Sequence, residues 1–352
     1  MKKVVIFSPT INAGGAEKQA CLLAKCLSEQ GCSVTFISFY GLEGAEPKNV
    51  DILKSNSLIE IFIPVGSQYA KLKSITKVFR EKQFDSLFNY LTFCNVFGTI
   101  IGRICGVKKI FGGIRSSRLP FKKKILERLI HNYLTDYTIY NSYSGAEFFS
   151  ENGFNKKKNI VIHNCFENIS PQTSRKAKDV PMIISVGRFV EPKDYLTAIK
   201  SVKILSQNNI PYRYLIVGYG KLETKIREWI ERYSLKDYVE IIIAPDNIPE
   251  LLDKADIYLS TSIFEGTSNS LLEALNACLP IVATDVGDNK HIVHNGQNGY
   301  LHHIGDSNSI AESLVKLLAD SSLRIQLGNH GYQLLVDGFS KEKFTERYMG
   351  LL

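Results

Sequence analysis

Long apolar runs are missing from this sequence of 352 residues. None approaches the roughly 18 consecutive apolar residues that a membrane-spanning helix needs. The first residues, MKKVVIFSP, contain only a short apolar run, whereas a secretory signal peptide needs a longer one and a small-residue cleavage site. We therefore expect no transmembrane helix and no leader, and we interpret Val4–Phe7 as a buried first strand.

Cysteine spacings typical of metal or redox sites are missing as well. The chain has seven cysteines, an odd number, and no two of them are spaced as Cys-x-x-Cys. Such cysteines are typically small buried thiols of a protein in a reducing compartment. The sequence therefore predicts a cytoplasmic protein.

Acidic residues are outnumbered by basic ones, which leaves a formal net charge of +8. Much of the visible clustering lies in two lysine triplets, Lys122–Lys124 and Lys156–Lys158. Three interpretations remain open: a solvated face, attraction to an anionic membrane leaflet, and binding of nucleic acid. We expect no nucleic-acid partner, because no basic motif interleaved with aromatic residues is present.

Strand-like runs alternate with helical patterns along the chain, which is typical of a parallel sheet covered by helices on both faces. In the first half these runs are Val4–Phe7, Ser33–Ser38, Ile59–Ile63, Ser86–Asn89, Lys109–Phe111, Tyr137–Tyr140 and Ile160–Ile162. In the second half they are Met182–Val186, Tyr214–Val217, Val239–Ile243, Ile257–Ser260 and Pro280–Ala283. The pattern predicts an α/β protein with two doubly wound, Rossmann-like domains, whose ligands bind beyond the carboxyl ends of the strands.

A polar segment with two prolines separates the two sets of strands. We therefore predict an N-terminal, acceptor-binding domain over residues 1–168, a linker over 169–181 and a C-terminal, donor-binding domain over 182–335. Residues 336–352 are predicted to form a C-terminal helix that packs back on the first domain.

Paired glycines directly follow the first strand, in the run Asn12-Ala13-Gly14-Gly15-Ala16-Glu17. Glycines allow the backbone to approach a ligand closely, and the start of the next helix offers free N–H groups to a phosphate. A plain strand-to-helix turn explains this run equally well.

An arginine and a lysine follow the first strand of the second domain, as Arg188 and Lys193 in the run 187–193. Arginine offers a planar fork to phosphate oxygens and lysine offers a point charge. Their place at the carboxyl end of a strand favours a binding role over that of two ordinary surface cations.

Two glutamates flank a predicted helix start in the run Phe264-Glu265-Gly266-Thr267-Ser268-Asn269-Ser270-Leu271-Leu272-Glu273. Free N–H groups at such a start can hold a diphosphate. The carboxylates would repel that diphosphate unless they bind hydroxyl groups, for which sugars and ribose are suitable partners. The alternative is an ordinary helix start with incidental acids.

Together these motifs resemble the retaining family 4 glycosyltransferases, which have the GT-B fold of two Rossmann-like domains facing across a cleft. The resemblance covers nearly the whole chain. Gly14–Glu17 is similar to the family's N-terminal glycine loop, the run 187–193 to its Arg/Lys motif, and the run 264–274 to its Glu-x7-Glu signature. The order and joint spacing of the motifs make the match specific.

The resemblance implies a role for each matching residue. Arg188 and Lys193 would neutralise the departing diphosphate, Glu265 would bond hydroxyls of the donor sugar, and Glu273 would bond the ribose. The other implied donor-side residues are Gly14, Gly15, Gly187, Ile243, Gly266, Thr267 and Ser268, with the base near Ile243. No metal or other cofactor is expected, since the chain has no Asp-x-Asp pair and the two cations would do the electrostatic work.

The resemblance also implies the reaction and its place in the cell. A hexose or N-acetylhexosamine would pass from a nucleoside-diphosphate sugar, by family frequency a UDP-sugar, to a hydroxyl of a surface or polyprenyl-diphosphate-linked glycan, with retention of configuration. The basic, aromatic helix predicted over Phe121–Tyr133 would suit peripheral attachment to the inner face of the cell membrane.

The sequence departs from the family pattern in three places. Cys278 stands where a glycine is usual, and His291 replaces an acid. No histidine stands at the usual strand end of the first domain, since His131 lies in a helical pattern and His163 follows the last strand. Arg115 takes the nearest comparable position. Arg115 and Glu17 are the candidates for residues that contact the acceptor, and a structural salt bridge is the alternative role for Arg115. The remaining histidines, including His302 and His303, are interpreted as loop residues.

Two other functions fit the same motifs. A sugar-nucleotide epimerase of GT-B-like fold would convert the donor without an acceptor. A non-catalytic binding module would hold the donor without releasing nucleotide. The complete set of two cations and two acids argues against the binding module.

Overall fold

The structure is a computed structural model that describes residues 1–115, 119–172, 178–208 and 210–352. The chain divides into two compact units, the first made of residues 1–165 and 341–352 and the second of residues 166–340. Part of the predicted linker, residues 173–177, lies outside the described residues.

Within the described residues, the first unit is built on a parallel sheet of seven strands in the order β3-β2-β1-β4-β5-β6-β7. The strands are β1 (Lys3–Ser8), β2 (Ser33–Ser38), β3 (Ile59–Phe62), β4 (Ser86–Asn89), β5 (Lys109–Ile114), β6 (Tyr137–Tyr140) and β7 (Asn159–Val161). Val4–Phe7 is fully buried, as expected for a central strand that helices cover on both faces.

Helices connect these strands. They are α1 (Gly15–Glu29), α2 (Pro47–Lys54), α3 (Gln68–Lys82), α4 (Leu91–Ile104), α5 (Phe121–Leu129) and α6 (Tyr143–Glu151). The helix predicted over Phe121–Tyr133 is α5 continued by a π-helical turn, Ile130–Leu134. Among the described residues, no helix combines the length and the apolar composition needed to cross a bilayer.

The second unit, as far as it is described, holds a parallel sheet of six strands in the order β10-β9-β8-β11-β12-β13. The strands are β8 (Met182–Val186), β9 (Arg213–Gly218), β10 (Val239–Ile243), β11 (Ile257–Ser260), β12 (Ile281–Thr284) and β13 (Gly299–His302). The helices are α7 (Tyr195–Gln207), α8 (Glu223–Arg232), α9 (Ile248–Lys254), α10 (Asn269–Asn276), α11 (Asn289–Ile292), α12 (Ser307–Ala319) and α13 (Ser321–Phe339). The two parallel sheets confirm the predicted α/β class.

The edge strand β13 was not predicted, and the interpretation of His302 as a loop residue is wrong. His302 is the last residue of β13 and pairs with Thr284 of β12. The run Gly-Tyr-Leu-His has only two apolar residues and is only partly buried beyond Gly299. An edge strand of this kind lacks the apolar pattern that identifies a buried strand.

The segment from Phe166 to Ser170, which ends the predicted first domain and begins the predicted linker, packs on the second unit. Phe166 and Ile169 contact its hydrophobic core. The amide of Ser170 donates to Asn276 Oδ1 (2.9 Å), and the hydroxyl of Tyr332 donates to the carbonyl of Ser170 (2.7 Å). These contacts tie the described residues of this segment to α10 and α13.

The predicted C-terminal helix over 336–352 is split at Ser340, which is extended. The chain ends in α14 (Lys341–Met349), which packs on α1 of the first unit. Phe344 and Tyr348 enter the core of that unit, and Lys341 forms an ion pair with Glu29 (2.6 Å).

Strand order in the second unit determines where its loops meet. The chain moves from β8 outward to β9 and β10, and then returns to place β11 on the other side of β8. Loops at such a switch point diverge and leave a crevice beyond the carboxyl ends of the strands. The loops after β8 and β11 border this crevice, and they carry the Arg/Lys pair and Glu265.

Candidate functional site

A cavity of about 900 Å³ opens in the second unit beyond the carboxyl ends of its strands. Its lining comes from the loops after β8, β9, β10 and β11 and from the first turns of α9 and α10. The lining residues are Val186, Gly187, Arg188, Val190, Pro192, Lys193, Gly218, Tyr219, Ala244, Pro245, Ile248, Phe264, Glu265, Gly266, Thr267, Ser268, Asn269, Ser270 and Glu273. The structure thus brings together eight of the nine site residues predicted in this unit.

The loop after β8 holds Arg188 at the rim of the cavity. Phe189 is fully buried in the core, and its amide donates to the carbonyl of Tyr219 (2.7 Å). A Cβ on Gly218 would lie 1.9 Å from the carbonyl oxygen of Gly187, so this close approach requires glycine. Arg188 itself is exposed and forms no ion pair with any residue the structure describes, so its guanidinium is available to an anion.

Lys193 lies in an arrangement that the sequence did not predict. It forms an ion pair with Glu265, whose Oε1 also accepts a hydrogen bond from Ser262 Oγ (2.8 Å). The next residue, Asp194, has φ 43° and caps α7 through Thr197. The predicted phosphate-binding cation and the predicted sugar-binding acid therefore lie against each other across the two loops.

The start of α10 forms another wall of the cavity. Gly266 and Thr267 lead to Ser268, the residue before the helix, as predicted. Thr267 Oγ1 donates to Asp288 Oδ2 (3.2 Å), and a Cβ on Gly287 would lie 2.2 Å from the carbonyl oxygen of Glu265. The first N–H groups of a helix have no partner within that helix, so this wall suits an anion.

Glu273 lies one turn into α10 and is partly buried. Burial raises the pKa of its carboxyl group, because a low-dielectric surrounding disfavours the charged form. Hydroxyl donors from a ligand would stabilise the carboxylate. The position therefore suits recognition of a diol such as ribose.

The part of the site that was predicted to bind the nucleotide base lies at the end of β10. Ile243 is its last residue and is half-exposed, and the next two residues, Ala244 and Pro245, line the cavity. Ala244 has φ 41°, a left-handed conformation that turns the chain sharply after the strand.

Two further residues of this region, Tyr219 and Asp288, were not predicted from the sequence. Tyr219 lines the cavity and directly follows β9, as Gly187 directly follows β8. Asp288 is fully buried and orients Thr267. In the sequence, Asp288 lies in the run 287–291 after β12, the same run in which His291 replaces an acid. That departure from the family pattern could have drawn attention to Asp288.

Cys278, the other departure, has φ 50° and is buried. This left-handed conformation favours glycine, which is the residue usual in the family. All seven cysteines are free thiols, and six of them are buried.

Three predicted residues of the first unit lie together at the start of α1. Gly14 precedes the helix and Gly15 begins it. Glu17 folds back over this turn, where its Oε1 accepts from Thr10 Oγ1 (3.1 Å) and a Cβ on Gly14 would lie 2.1 Å from its Oε2. A carboxylate thus covers the first turn of α1, which it stabilises through the helix dipole.

Arg115 follows β5 and is held by other side chains. It donates to the hydroxyl of Tyr348 (2.8 Å) and to Asn164 Oδ1 (3.4 Å), and its guanidinium lies 4.8 Å from the ring centre of Tyr90. These contacts connect β5 to α14. Of the two roles left open by the sequence, they favour the structural one, with a cation–π contact and neutral partners instead of a salt bridge.

Known proteins are similar to this chain in sequence. Residues 166–334 match the family model described as glycosyl transferases group 1. The chain is 27% identical over 351 residues to the lipopolysaccharide core biosynthesis glycosyltransferase LpsE of Rhizobium meliloti (strain 1021), with 96% of each chain covered. It is 24% identical over 366 residues to a Campylobacter jejuni enzyme named GalNAc-α-(1→4)-GalNAc-α-(1→3)-diNAcBac-PP-undecaprenol α-1,4-N-acetyl-D-galactosaminyltransferase, with 100% of this chain and 98% of that one covered.

The fold is also similar to solved structures. Anabaena Alr3699/HepE in complex with UDP matches with a TM-score of 0.77 at 17% identity over 99% of both chains. The lipopolysaccharide outer core galactosyltransferase WaaB matches with a TM-score of 0.76 at 15% identity over 100% of this chain and 99% of that one. The fold and the family match therefore define a glycosyltransferase of GT-B fold, as predicted. The match to the glycosyl transferases group 1 model covers nearly all of its second unit.

Proposed function

We propose that this glycosyltransferase moves a hexose or N-acetylhexosamine from a UDP-sugar to a hydroxyl of a lipid-linked or surface glycan, with retention of configuration. One observation carries the proposal. Arg188, the Lys193–Glu265 pair, the start of α10 and Glu273 border a single cavity. Cations and free N–H groups fit a diphosphate, and the two carboxylates fit hydroxyl groups.

The arrangement suggests how the residues act. Arg188 and the first turn of α10 bind the diphosphate, and Lys193 neutralises the charge that develops as it departs. Glu265 binds a hydroxyl of the sugar while Lys193 and Ser262 orient its carboxylate. An oxygen of the departing phosphate takes the acceptor's proton on the same face, so retention needs no protein base.

The names of similar proteins support the donor and the acceptor class. HepE was solved with UDP, LpsE is named for lipopolysaccharide core biosynthesis, and the Campylobacter enzyme is named for an acceptor on PP-undecaprenol. We propose that this chain likewise extends a lipopolysaccharide or a related lipid-linked or surface polysaccharide. We propose no metal or other cofactor, because Arg188 and Lys193 supply the positive charge.

A panel of sugar nucleotides tests the donor. A UDP-sugar at 100-fold above its Kd should raise the melting temperature of the wild type by about 5 °C, because it binds only the folded state. Arg188→Ala should reduce the shift, since the guanidinium has no structural partner among the described residues. If neither UDP nor any sugar nucleotide shifts the transition, the proposed donor is wrong.

The same panel separates the alternatives once an acceptor extract is added. A glycosyltransferase releases UDP only with an acceptor or slowly with water. Conversion of the donor to a second sugar nucleotide without an acceptor would identify an epimerase. Binding without any release of nucleotide would identify a non-catalytic module.

We also propose that the first unit docks on the inner face of the cell membrane. The exposed side of α4 carries Phe97, Ile100 and Ile104 at helical spacing, and the neighbouring α5 and its π turn expose Leu126, Leu129 and Tyr133. We call these six residues the α4–α5 face. Such a stretch of exposed apolar residues is typical of an interaction surface.

Exposed lysines near both ends of α5 favour an anionic surface as the partner of the α4–α5 face. Lys122 and Lys123 precede the face and are exposed, as are Lys156 and Lys157 beyond its other end. Two self-associating copies would bring like charges together. The other members of the two triplets support the fold: Lys124 donates to Asn152 Oδ1 (2.6 Å), and Lys158 donates to three carbonyls at the end of the π turn.

Vesicle binding tests this surface. Ile104→Ser with Leu129→Ser should weaken binding to vesicles of phosphatidylglycerol and phosphatidylethanolamine at least tenfold, because apolar burial is lost. Lys122→Ala with Lys123→Ala should weaken it by about tenfold at low salt and less at high salt. Val65→Ser removes an apolar residue that is 77% exposed outside α4 and α5 and should change nothing. Unchanged binding by the Ile104/Leu129 variant would refute the face.

A further inference from the structure

Tyr219 lies between two glycines where the chain leaves β9. A Cβ on Gly218 would lie 1.9 Å, and a Cβ on Gly220 would lie 2.6 Å, from carbonyl oxygens of the loop after β8. The amide of Phe189 in that loop donates to the carbonyl of Tyr219 (2.7 Å). The backbone of Tyr219 is therefore packed closely against the neighbouring loop and has little freedom to move.

The side chain of Tyr219, by contrast, is open to the cavity. Tyr219 is one of the lining residues and is 58% exposed. A tyrosine on a fixed backbone offers a large contact area at a small cost in entropy, because only two side-chain torsions have to be ordered. The position therefore suits contact with a flat group of a ligand.

The cavity has a charged side and an uncharged side. Its charged lining residues all follow β8 or β11, as Arg188 and Lys193 on the first strand and Glu265 and Glu273 on the second. The lining residues on the side of β9 and β10 carry no charge. They are Gly218, Tyr219, Ala244, Pro245 and Ile248. A nucleoside diphosphate is divided in the same way, with its charge on the diphosphate and a flat base at the other end.

Tyr219 also lies next to the part of the site that was predicted to bind the base. In the pairing of β9 with β10, Gly218 lies opposite Ile243, and the amide of Ala244 donates to the carbonyl of Gly218 (3.0 Å). Tyr219 and Ala244 consequently leave neighbouring strands at the same level, and both line the cavity. A base held at the end of β10 would lie beside the ring of Tyr219.

We propose that the ring of Tyr219 stacks on the base of the donor nucleotide. The inference rests on the proposed function, because it takes a nucleoside-diphosphate sugar as the ligand of the cavity. Every base has a π-face, so stacking adds affinity without selecting one base, and loss of such a contact typically costs about tenfold or more in affinity. The contact needs the ring of Tyr219 and not its hydroxyl.

Tyr219→Ala and Tyr219→Phe in the full chain test the proposal, because only the first removes the ring. The control is Ile304→Ala, which removes a 52% exposed apolar residue outside the cavity lining, beyond β13 at the edge of the same sheet opposite to β10. All three variants should melt within about 2 °C of the wild type, because substitutions of exposed residues change stability little. Calorimetry then measures the binding of UDP, uridine and inorganic pyrophosphate.

The variants should differ in what they bind. Tyr219→Ala should weaken UDP and uridine by about tenfold each and leave pyrophosphate unchanged. Tyr219→Phe and Ile304→Ala should bind all three probes as the wild type does. Wild-type UDP affinity in Tyr219→Ala, an equal loss in Tyr219→Phe, or a loss of pyrophosphate affinity would overturn the stacking role alone. Failure of the wild type to bind UDP would overturn it together with the proposed donor.

Discussion

Replacing Lys193 with alanine is expected to lower turnover of the donor by about 10²–10³-fold, comparable to the loss of one oxyanion-hole donor. Lys193 lies where charge would develop on the departing diphosphate. Its removal also leaves Glu265, which is largely buried, without its ion-pair partner. An unpaired carboxylate beside the diphosphate would oppose both binding and departure. Release of UDP in a coupled assay measures the effect.

Two further variants make this test specific. Lys193→Ala combined with Glu265→Gln removes the unpaired charge and should recover part of donor binding, but not turnover. Lys236→Ala removes a lysine that is paired with Glu231 on the surface of the same unit, and it should leave turnover of the donor unchanged. Near-normal turnover by a folded Lys193→Ala protein would contradict the role of this residue.

Glu127→Gln is expected to stabilise the protein at pH 8 and to have little effect near pH 4.5. Glu127 of α5 is 3% exposed, and Asn95 Nδ2 donates to both of its oxygens (2.9 and 3.1 Å). Burial raises the pKa of its carboxyl group from the ordinary 4.5 to about 7. The protonated form is therefore favoured in the folded state.

The direction of the pH effect follows from these two pKa values. Between pH 4.5 and about 7 the unfolded chain loses the proton of Glu127 while the folded chain keeps it. Stability is consequently lost as the pH rises through this window, by on the order of 3 kcal/mol. Glutamine keeps the shape, still accepts from Asn95, and cannot ionise.

Denaturant unfolding at several pH values measures the difference between Glu127→Gln and the wild type. The exposed Glu151→Gln at the end of α6 serves as the control and should follow the wild type at every pH. A constant difference between Glu127→Gln and the wild type across this range would show that the carboxyl group ionises normally.

The strands illustrate how far the sequence alone could go. Every strand it predicted is present in the structure, because continuous apolar runs and alternating helices are a local signal of a parallel α/β fold. The short edge strand β13 was missed, since half-buried strands with glycine and histidine carry little of that signal. Recognition of the GT-B glycosyltransferase class also succeeded, because three motifs occur in the right order.

The candidate site shows a second limit. Sequence order placed Arg188, Lys193, Glu265 and Glu273 at strand ends and a helix start, and the structure brings them to one cavity. Their roles remain predictions. That Lys193 pairs with Glu265 depends on the return of β11 to the side of β8, a contact between residues far apart in the sequence.

The sequence by itself determined the two sets of strands, the apolar cores and the chemical groups at the strand ends, because each of these is encoded in neighbouring residues. Only the tertiary structure decided which groups meet. It placed Arg115 against α14 and Lys193 against Glu265 across two loops. In the sequence these partners are far apart, because packing between elements leaves no local pattern.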